Sequence, residues 1–329
     1  MADIQKYFER FHETIRVDYD MSNTLREKRD IILNRIREHL KKNGRPGFDE
    51  LLQGSFAMKT GIAPIEKLEF DIDVGLRFPF SENDHEASEV RKWVFEAVDG
   101  HTEKVEAKGP CVRVTYADGY HVDLVSYAVW EDALQTRHSR MAHKDNGWRK
   151  ADPLALLAFV EQVMKRFDDT EDSATQTNQF RRVVRYLRRW SDEAMPKESH
   201  DKPNGLAFIL LAEKHLRPAL TWDGKPDDLK ALQALASSLA NIYGRMEAKK
   251  PTPEYDDVLA KVSDDAMKDW KARLSRLAAD LSKATTEPDP VKACELVKMH
   301  LGRDFPVPTP EETGKKTSAP AIVTSSSSA

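Results

Sequence analysis

From residue 70 to 78, apolar and polar positions alternate. Phe70, Ile72, Val74, Leu76 and Phe78 fall on one face and Asp71 and Asp73 on the other, a pattern that predicts a half-buried strand. Just upstream, residues 50–53 read as a short strand and Gly54-Ser55 as a tight turn. A short helix over 55–60 follows, with Ser55 as its cap. Nearer the N-terminus the period is helical. Ile4, Phe8, Phe11 and Ile15 share a face and, after an interruption at 18–22, Leu25, Ile32, Ile36 and Leu40 continue the pattern to Asn43-Gly44. A helix this long needs a partner surface, so it is expected to run along the back of the molecule and touch both halves. Downstream, an acidic helix is predicted over 84–98. Val112, Val114 and Tyr116 then alternate up to Asp118-Gly119, a hairpin signal, and the chain returns over 121–129 with Asp123 flanked by apolar residues.

Beyond Trp148 the pattern turns helical. Asp152 caps and Pro153 opens a helix whose stripe is Leu156, Val160, Val163, Met164 and Phe167. In the next helix Val183, Val184, Leu187 and Trp190 form one face and Arg181, Arg185, Arg188 and Arg189 another, which reads as a solvated face, with a phosphate-facing role as the alternative. Further helices are predicted at 206–215, 229–243, 254–261, 264–283 and 290–301. The Pro-, Ser- and Thr-rich stretch after Phe305 predicts a disordered tail. The resulting division is an N-terminal helical segment over 1–47, a mixed strand and helix region over 48–150, a helical domain over 151–305 and a tail over 306–329.

With 329 residues, a chain of this kind is expected to form two tightly packed halves. Its 51 basic and 55 acidic side chains leave a net charge of -4, so affinity for phosphate must come from local clusters. Cys111 and Cys294 are too far apart for a zinc ribbon or redox dithiol. The charged start, MADIQKYFERF, lacks an apolar signal region and no run is long enough to span a membrane, so a cytoplasmic protein is expected.

Two carboxylates at i and i+2 of a strand stand about 6.6 Å apart along the backbone. Asp123, on a strand nearby, makes a third. Three such groups repel one another unless a cation compensates them, and hard oxygen ligands suit Mg²⁺ or Mn²⁺. Asp18-Tyr19-Asp20 has the same spacing but reads as a surface turn. Gly54-Ser55 offers backbone N–H groups and a hydroxyl to an anion. GSFAMKT is no Walker A loop, because Met58 stands where that motif requires glycine. Tyr127 and Tyr186 read as packing residues before base-stacking ones. His121 reads as a surface or core histidine, with partnership to Asp123 as the alternative, and His138 and His143 lack metal-ligand spacing.

The order Gly54-Ser55, Asp71-x-Asp73, Asp123, then a helical domain with a basic, Trp-containing helix, resembles the polymerase-beta nucleotidyltransferases. It looks most like the cGAS/DncV-like branch, the bacterial cyclic oligonucleotide synthases, over about residues 1–305. The resemblance implies an α+β fold: a catalytic core of mixed sheet and helices, packed on an all-helical domain and bridged by the long N-terminal helix. It further implies that Gln53, Gly54 and Ser55 hold a donor triphosphate and that Asp71, Asp73 and Asp123 bind two Mg²⁺ or Mn²⁺ ions, with Asp123 helping to activate the attacking hydroxyl. Arg188 falls where relatives place a triphosphate-binding lysine, and Asn204 where they place a phosphate-touching serine. The implied function is synthesis of a cyclic di- or trinucleotide from ATP and other nucleoside triphosphates, in bacterial anti-phage (CBASS-type) signalling. A HORMA-domain type regulatory protein could bind through the tail, and a nucleic acid or peptide could activate. The alternatives are nucleotidyl transfer to RNA or protein, and a non-catalytic nucleotide-binding scaffold.

Overall fold

The computed structural model describes residues 2–17, 19–65, 70–195, 201–309 and 312–313. The N-terminal helix is in fact two, Gln5–Ile15 (α1) and Tyr19–Lys42 (α2), separated where Arg16 takes an extended conformation and bridges to Ile62. Each half of the molecule takes one of them. Tyr7, Phe8, Phe11 and Ile15 of α1 are buried in the helical core, whereas Leu25, Ile32, Leu33, Ile36 and Leu40 of α2 are buried against the sheet. The apolar stripe looks continuous in sequence because both pieces are amphipathic, but the two stripes face different cores.

Among the described residues, seven strands form one mixed sheet: Asp49–Gln53 (β1), Phe70–Phe78 (β2), Lys104–Ala107 (β3), Val112–Thr115 (β4), Tyr120–Glu131 (β5), Arg137–His143 (β6) and Gly147–Lys150 (β7). The order is β1-β2-β5-β4-β3, with β6 joining β5 to β7. The chain leaves β2 through Ala87–Val98 (α4), passes along β3 and β4, and returns as β5, which lies parallel to β2 and directly beside it. The three aspartates therefore stand on two adjacent strands. One face of the sheet is apolar: Ile72, Val74, Leu76, Val114, Val122 and Leu124 pack under α2 and α4. The opposite face carries the polar positions.

The helical half comprises Pro153–Lys165 (α5), Gln179–Ala194 (α6), Gly205–His215 (α7), Asp228–Ala240 (α8), Asp264–Thr286 (α9) and Pro290–Leu301 (α10). Its starts follow capping chemistry. Asp152 accepts the Ala155 N–H at 3.0 Å, and Asn178, Asn204, Asp227 and Ser263 cap their helices in the same way. The helix expected over 254–261 does not form; that stretch holds turns and a bridge between Lys249 and Asp257. The start of the expected tail is packed: just before it Phe305 is fully buried against Phe8 and Phe11, and within it Val307 lies on the same core and Glu312 pairs with Arg10 at 2.6 Å. Residues 314–329, where most of that expectation falls, lie outside the described residues.

Candidate active site

A single row of the sheet, read across five strands, contains the site. The register sets Gln53 opposite Asp73, Asp73 opposite Asp123, Asp123 opposite Arg113 and Arg113 opposite Glu106. Directly opposed residues share a face, so all five side chains leave the sheet on its polar side. Asp71 stands two residues from Asp73, on the same face, opposite His121.

At one end of the row β1 turns into Gly54–Ala57 (α3), and only glycine fits its first position. Gly54 has φ +66, and a Cβ there would lie 1.9 Å from Asp73 Oδ2. The close approach carries the backbone across the carboxylate and places Ser55 in the cleft. Ser55 lies inside the one-turn helix, and Gln53, not Ser55, holds the cap position. The Gln53 side chain is fixed from the other direction, accepting a 3.0 Å hydrogen bond from the Tyr127 hydroxyl.

The carboxylates form an electrostatically loaded group. Burial, then the charges of Asp123 and Asp71, push the Asp73 carboxyl up to about 7, with Arg113 opposing. Arg113 forks onto Asp123, Nε to Oδ1 and Nη2 to Oδ2 at 2.7 Å each, and stands 3.8 Å from Asp71. Among the described residues, no three His, Cys, Asp or Glu side chains stand together as a ready cation cage. The donor set nevertheless suits a hard divalent ion. Oxygen ligands face one cleft, their charge exceeds what one guanidinium neutralises, and a resident cation already bridges two of them.

Beside the row a cavity of about 630 Å³ opens between the halves. Ser55, Phe56 and Asp71 line one side, Thr175, Gln176 and Thr177 another, and six cations point to it: Arg16, Arg26, Lys59, Arg181, Arg185 and Arg188. The arginines of α6 are not a solvated face. Arg185 and Arg189 are buried, and together with Arg188 they donate to the carbonyls of Lys59, Thr60, Gly61 and Ala63, the segment that follows α3. They clamp the sheet half to the helical half while turning charge toward the cavity. His12 completes the clamp, its Nε2 2.9 Å from Arg185 Nη1. Burial first, and then Arg185, Arg182 and Arg16, hold this imidazole down to about 2, so it is a neutral acceptor.

The structure thus brings together Asp71, Asp73, Asp123, Gly54, Ser55 and Arg188, with Gln53 in the same row. Asn204 stands apart from the cavity lining and uses its side-chain oxygen to cap α7. Tyr127 and Tyr186 are buried packing residues; the Tyr186 hydroxyl lies 3.0 Å from both the Phe8 carbonyl and Asp228. His121 bonds to Thr115 at 3.1 Å, and His138 to Asp132 at 2.8 Å, away from the row. Sequence reasoning missed Arg113, although its signal was present: counting outward from the hairpin at Asp118 pairs position 113 with 123. Arg16, Arg26 and Lys59 carried no comparable signal, because only the meeting of the halves gathers them.

Residues 49–127 match the sequence model of the nucleotidyltransferase domain of cyclic GMP-AMP synthase DncV-like proteins. Among solved structures, the chain is similar to the apo form of Vibrio cholerae DncV, with a TM-score of 0.73 at 16% identity, covering 91% of this chain and 96% of that one. DncV as a cyclic AMP-GMP synthase and prokaryotic cGAS homologue matches with TM-score 0.71 at 17% identity, covering 91% and 97%. DncV in complex with its linear intermediate pppApG matches with TM-score 0.72 at 16% identity, covering 91% and 96%. These likenesses establish a shared fold over nearly the whole of both chains.

Proposed function

We propose, from the match of residues 49–127 to the nucleotidyltransferase domain of DncV-like proteins, that this chain joins nucleoside triphosphates, ATP among them, into a cyclic di- or trinucleotide with release of pyrophosphate. The observation that carries the reading is the six-cation cavity opening onto Ser55 and Asp71, beside a row of carboxylates. A triphosphate is the small metabolite whose charge matches one wall and whose reacting phosphorus must approach the other.

Asp71, Asp73 and Asp123 would hold Mg²⁺ or Mn²⁺, two ions, whose chemistry is to acidify a ribose hydroxyl and to neutralise the departing pyrophosphate. The chain's own groups do the rest. Ser55 and the backbone after Gly54 orient the phosphates beside the acids. Arg185 is pre-set by its bonds to Lys59 and Gly61 carbonyls and to His12, so it offers charge with little ordering cost. Arg188 and Arg181 extend that wall, and Arg26, over the Phe56 ring at 5.8 Å, flanks the entrance.

Service in bacterial anti-phage signalling, a cytoplasmic location and control by a HORMA-type partner through the tail extend the same reading, and rest on resemblance alone. Among the described residues, no helix is long and apolar enough to cross a membrane.

The test is to incubate the protein, and an Asp71→Asn/Asp73→Asn variant, with all four ribonucleoside triphosphates and Mg²⁺ or Mn²⁺. The products are then treated with phosphatase and analysed by mass spectrometry. A phosphatase-resistant cyclic oligonucleotide from the wild type alone supports the reading. Label transferred only to added RNA or protein would replace it with a macromolecular acceptor.

A further inference from the structure

The same row of the sheet contains a third acid, which the proposed chemistry leaves unused. Glu106 on β3 is the register partner of Arg113 on its far side, as Asp123 is on its near side. One guanidinium therefore stands between two carboxylates, each a single strand away on the same face. Its fork is closed on Asp123, while Glu106 pairs with Lys104 at 3.5 Å and Lys108 at 3.1 Å. Asp123 is buried, Arg113 is 29% exposed and Glu106 is 35% exposed, so the alternative partner is the one nearer solvent.

We propose that Arg113 is a resident counter-cation with two stations. In the metal-free protein it neutralises Asp123 and leans on Asp71; when a divalent ion takes those carboxylates, the guanidinium transfers to Glu106. The inference rests on the reading of the three aspartates as cation ligands and adds a residue that sets how readily they accept an ion. A bidentate fork occupies both oxygens of Asp123, so a divalent ion needs at least one of them released. Without Arg113, three carboxylates facing one cleft would repel, and Asp123 would be left buried and unpaired. Without Glu106, the displaced guanidinium would keep a positive charge beside the incoming ion with no carboxylate to receive it.

Charge alone and the fork itself make different predictions, and substitutions at position 113 separate them. Mn²⁺ binding is measured by titration calorimetry and by the electron paramagnetic resonance signal of free Mn²⁺, with circular dichroism to confirm the fold of each variant. Arg113→Gln is expected to bind Mn²⁺ about tenfold more tightly than wild type. Arg113→Lys keeps the charge but cannot fork, and is expected to bind several-fold more tightly as well. Glu106→Gln, at an exposed position with little bearing on folding, is expected to bind several-fold more weakly. Wild-type affinity in Arg113→Lys together with tighter binding in Arg113→Gln would reduce the effect to net charge and overturn the exchange. Unchanged affinity in Glu106→Gln would overturn its second station. If Mn²⁺ binds none of the proteins, with or without a non-hydrolysable ATP analogue, the metal reading itself fails. If Asp71→Asn/Asp73→Asn abolishes binding while all the Arg113 variants match wild type, only the present inference fails.

Discussion

Two arginine–aspartate forks of almost the same geometry stand in the two halves of the molecule, and their surroundings differ completely. In the helical half Arg182 grips Asp228 at 2.7 and 2.9 Å with neither side chain exposed. The carboxylate also receives the Tyr186 hydroxyl at 3.0 Å and the Gln179 amide at 3.2 Å, while Asp172 and Glu9 act on the pair through space. In the sheet half Arg113 grips Asp123 at 2.7 Å twice, at the edge of a cleft, with Asp73 and Asp71 crowding the same cation. The first fork is closed: its charges balance and its donors and acceptors are matched. The second is crowded: three carboxylates share one face of the sheet beside a single forked guanidinium. A buried ion pair marks structure where its charges balance, and chemistry where they do not.

The comparison breaks most sharply at the two aspartates. Asp73→Asn is expected to cut nucleotidyl transfer by about a thousandfold or more, yet to raise the melting temperature of the metal-free protein at pH 8 by removing like-charge repulsion. Asp228→Asn is expected to act the other way. It should cost about 3–5 kcal/mol in urea unfolding by leaving Arg182 buried and underpaired, with activity per folded molecule retained. Loss of stability in Asp73→Asn would erase the distinction.

Gly54→Ala tests how tightly the backbone is folded over the acids. Its φ of +66 and the 1.9 Å approach to Asp73 Oδ2 leave no room for a methyl group. Strain of about 1–3 kcal/mol and a shifted Asp73 are expected together, seen as a lower melting temperature and a fall in kcat. A purely structural role for this glycine would move only the first.

The clamp between the halves has its own pH signature. His12 is held down to about 2, against the ordinary imidazole value of 6.5, so between those values the unfolded chain binds a proton that the folded one refuses. Stability is therefore lost as pH falls below about 6.5, by about 1.4 kcal/mol per pH unit down to the folded value, and His12 adds nothing to the slope above 6.5. The difference between wild type and His12→Gln in denaturant unfolding from pH 7 to pH 4 isolates this contribution.

Legibility in the sequence follows the same division. The Asp71/Asp73 strand, the hairpin to Asp123, the Gly-Ser turn and most helix starts were readable, because each depends on contacts within a few residues: alternation, a turn dipeptide, a cap. β3, β6 and β7 were not readable. Lys104–Ala107 and Arg137–His143 are short and rich in charged or His residues, and their strand state comes from pairing with β4 and β5. The arginines of α6 misled for a related reason. Charges at helical spacing normally face water, and here they find the carbonyls of residues 59–63, more than a hundred positions away. The interruption of the N-terminal helix was visible but not its consequence, since amphipathicity reports that a face is buried but not against which core.

The smallest expected effect lies where the cavity meets solvent. Arg26 is exposed, rests over the Phe56 ring and makes no contact that holds the fold, so Arg26→Ala should leave the melting temperature within the scatter of surface substitutions. Because it lines the cavity proposed to take the triphosphate, its loss should nonetheless raise KM for ATP by about twofold to fivefold at low salt, corresponding to roughly 0.5–1 kcal/mol for an exposed charge pair. The increment should shrink toward nothing in about 1 M salt, where the screening length falls to about 3 Å. Arg185 is buried and bound to two carbonyls and to His12, so its contribution to ATP binding should survive the same salt. If both contributions vanished together, the cavity would be a loosely hydrated surface and not a pre-ordered phosphate site.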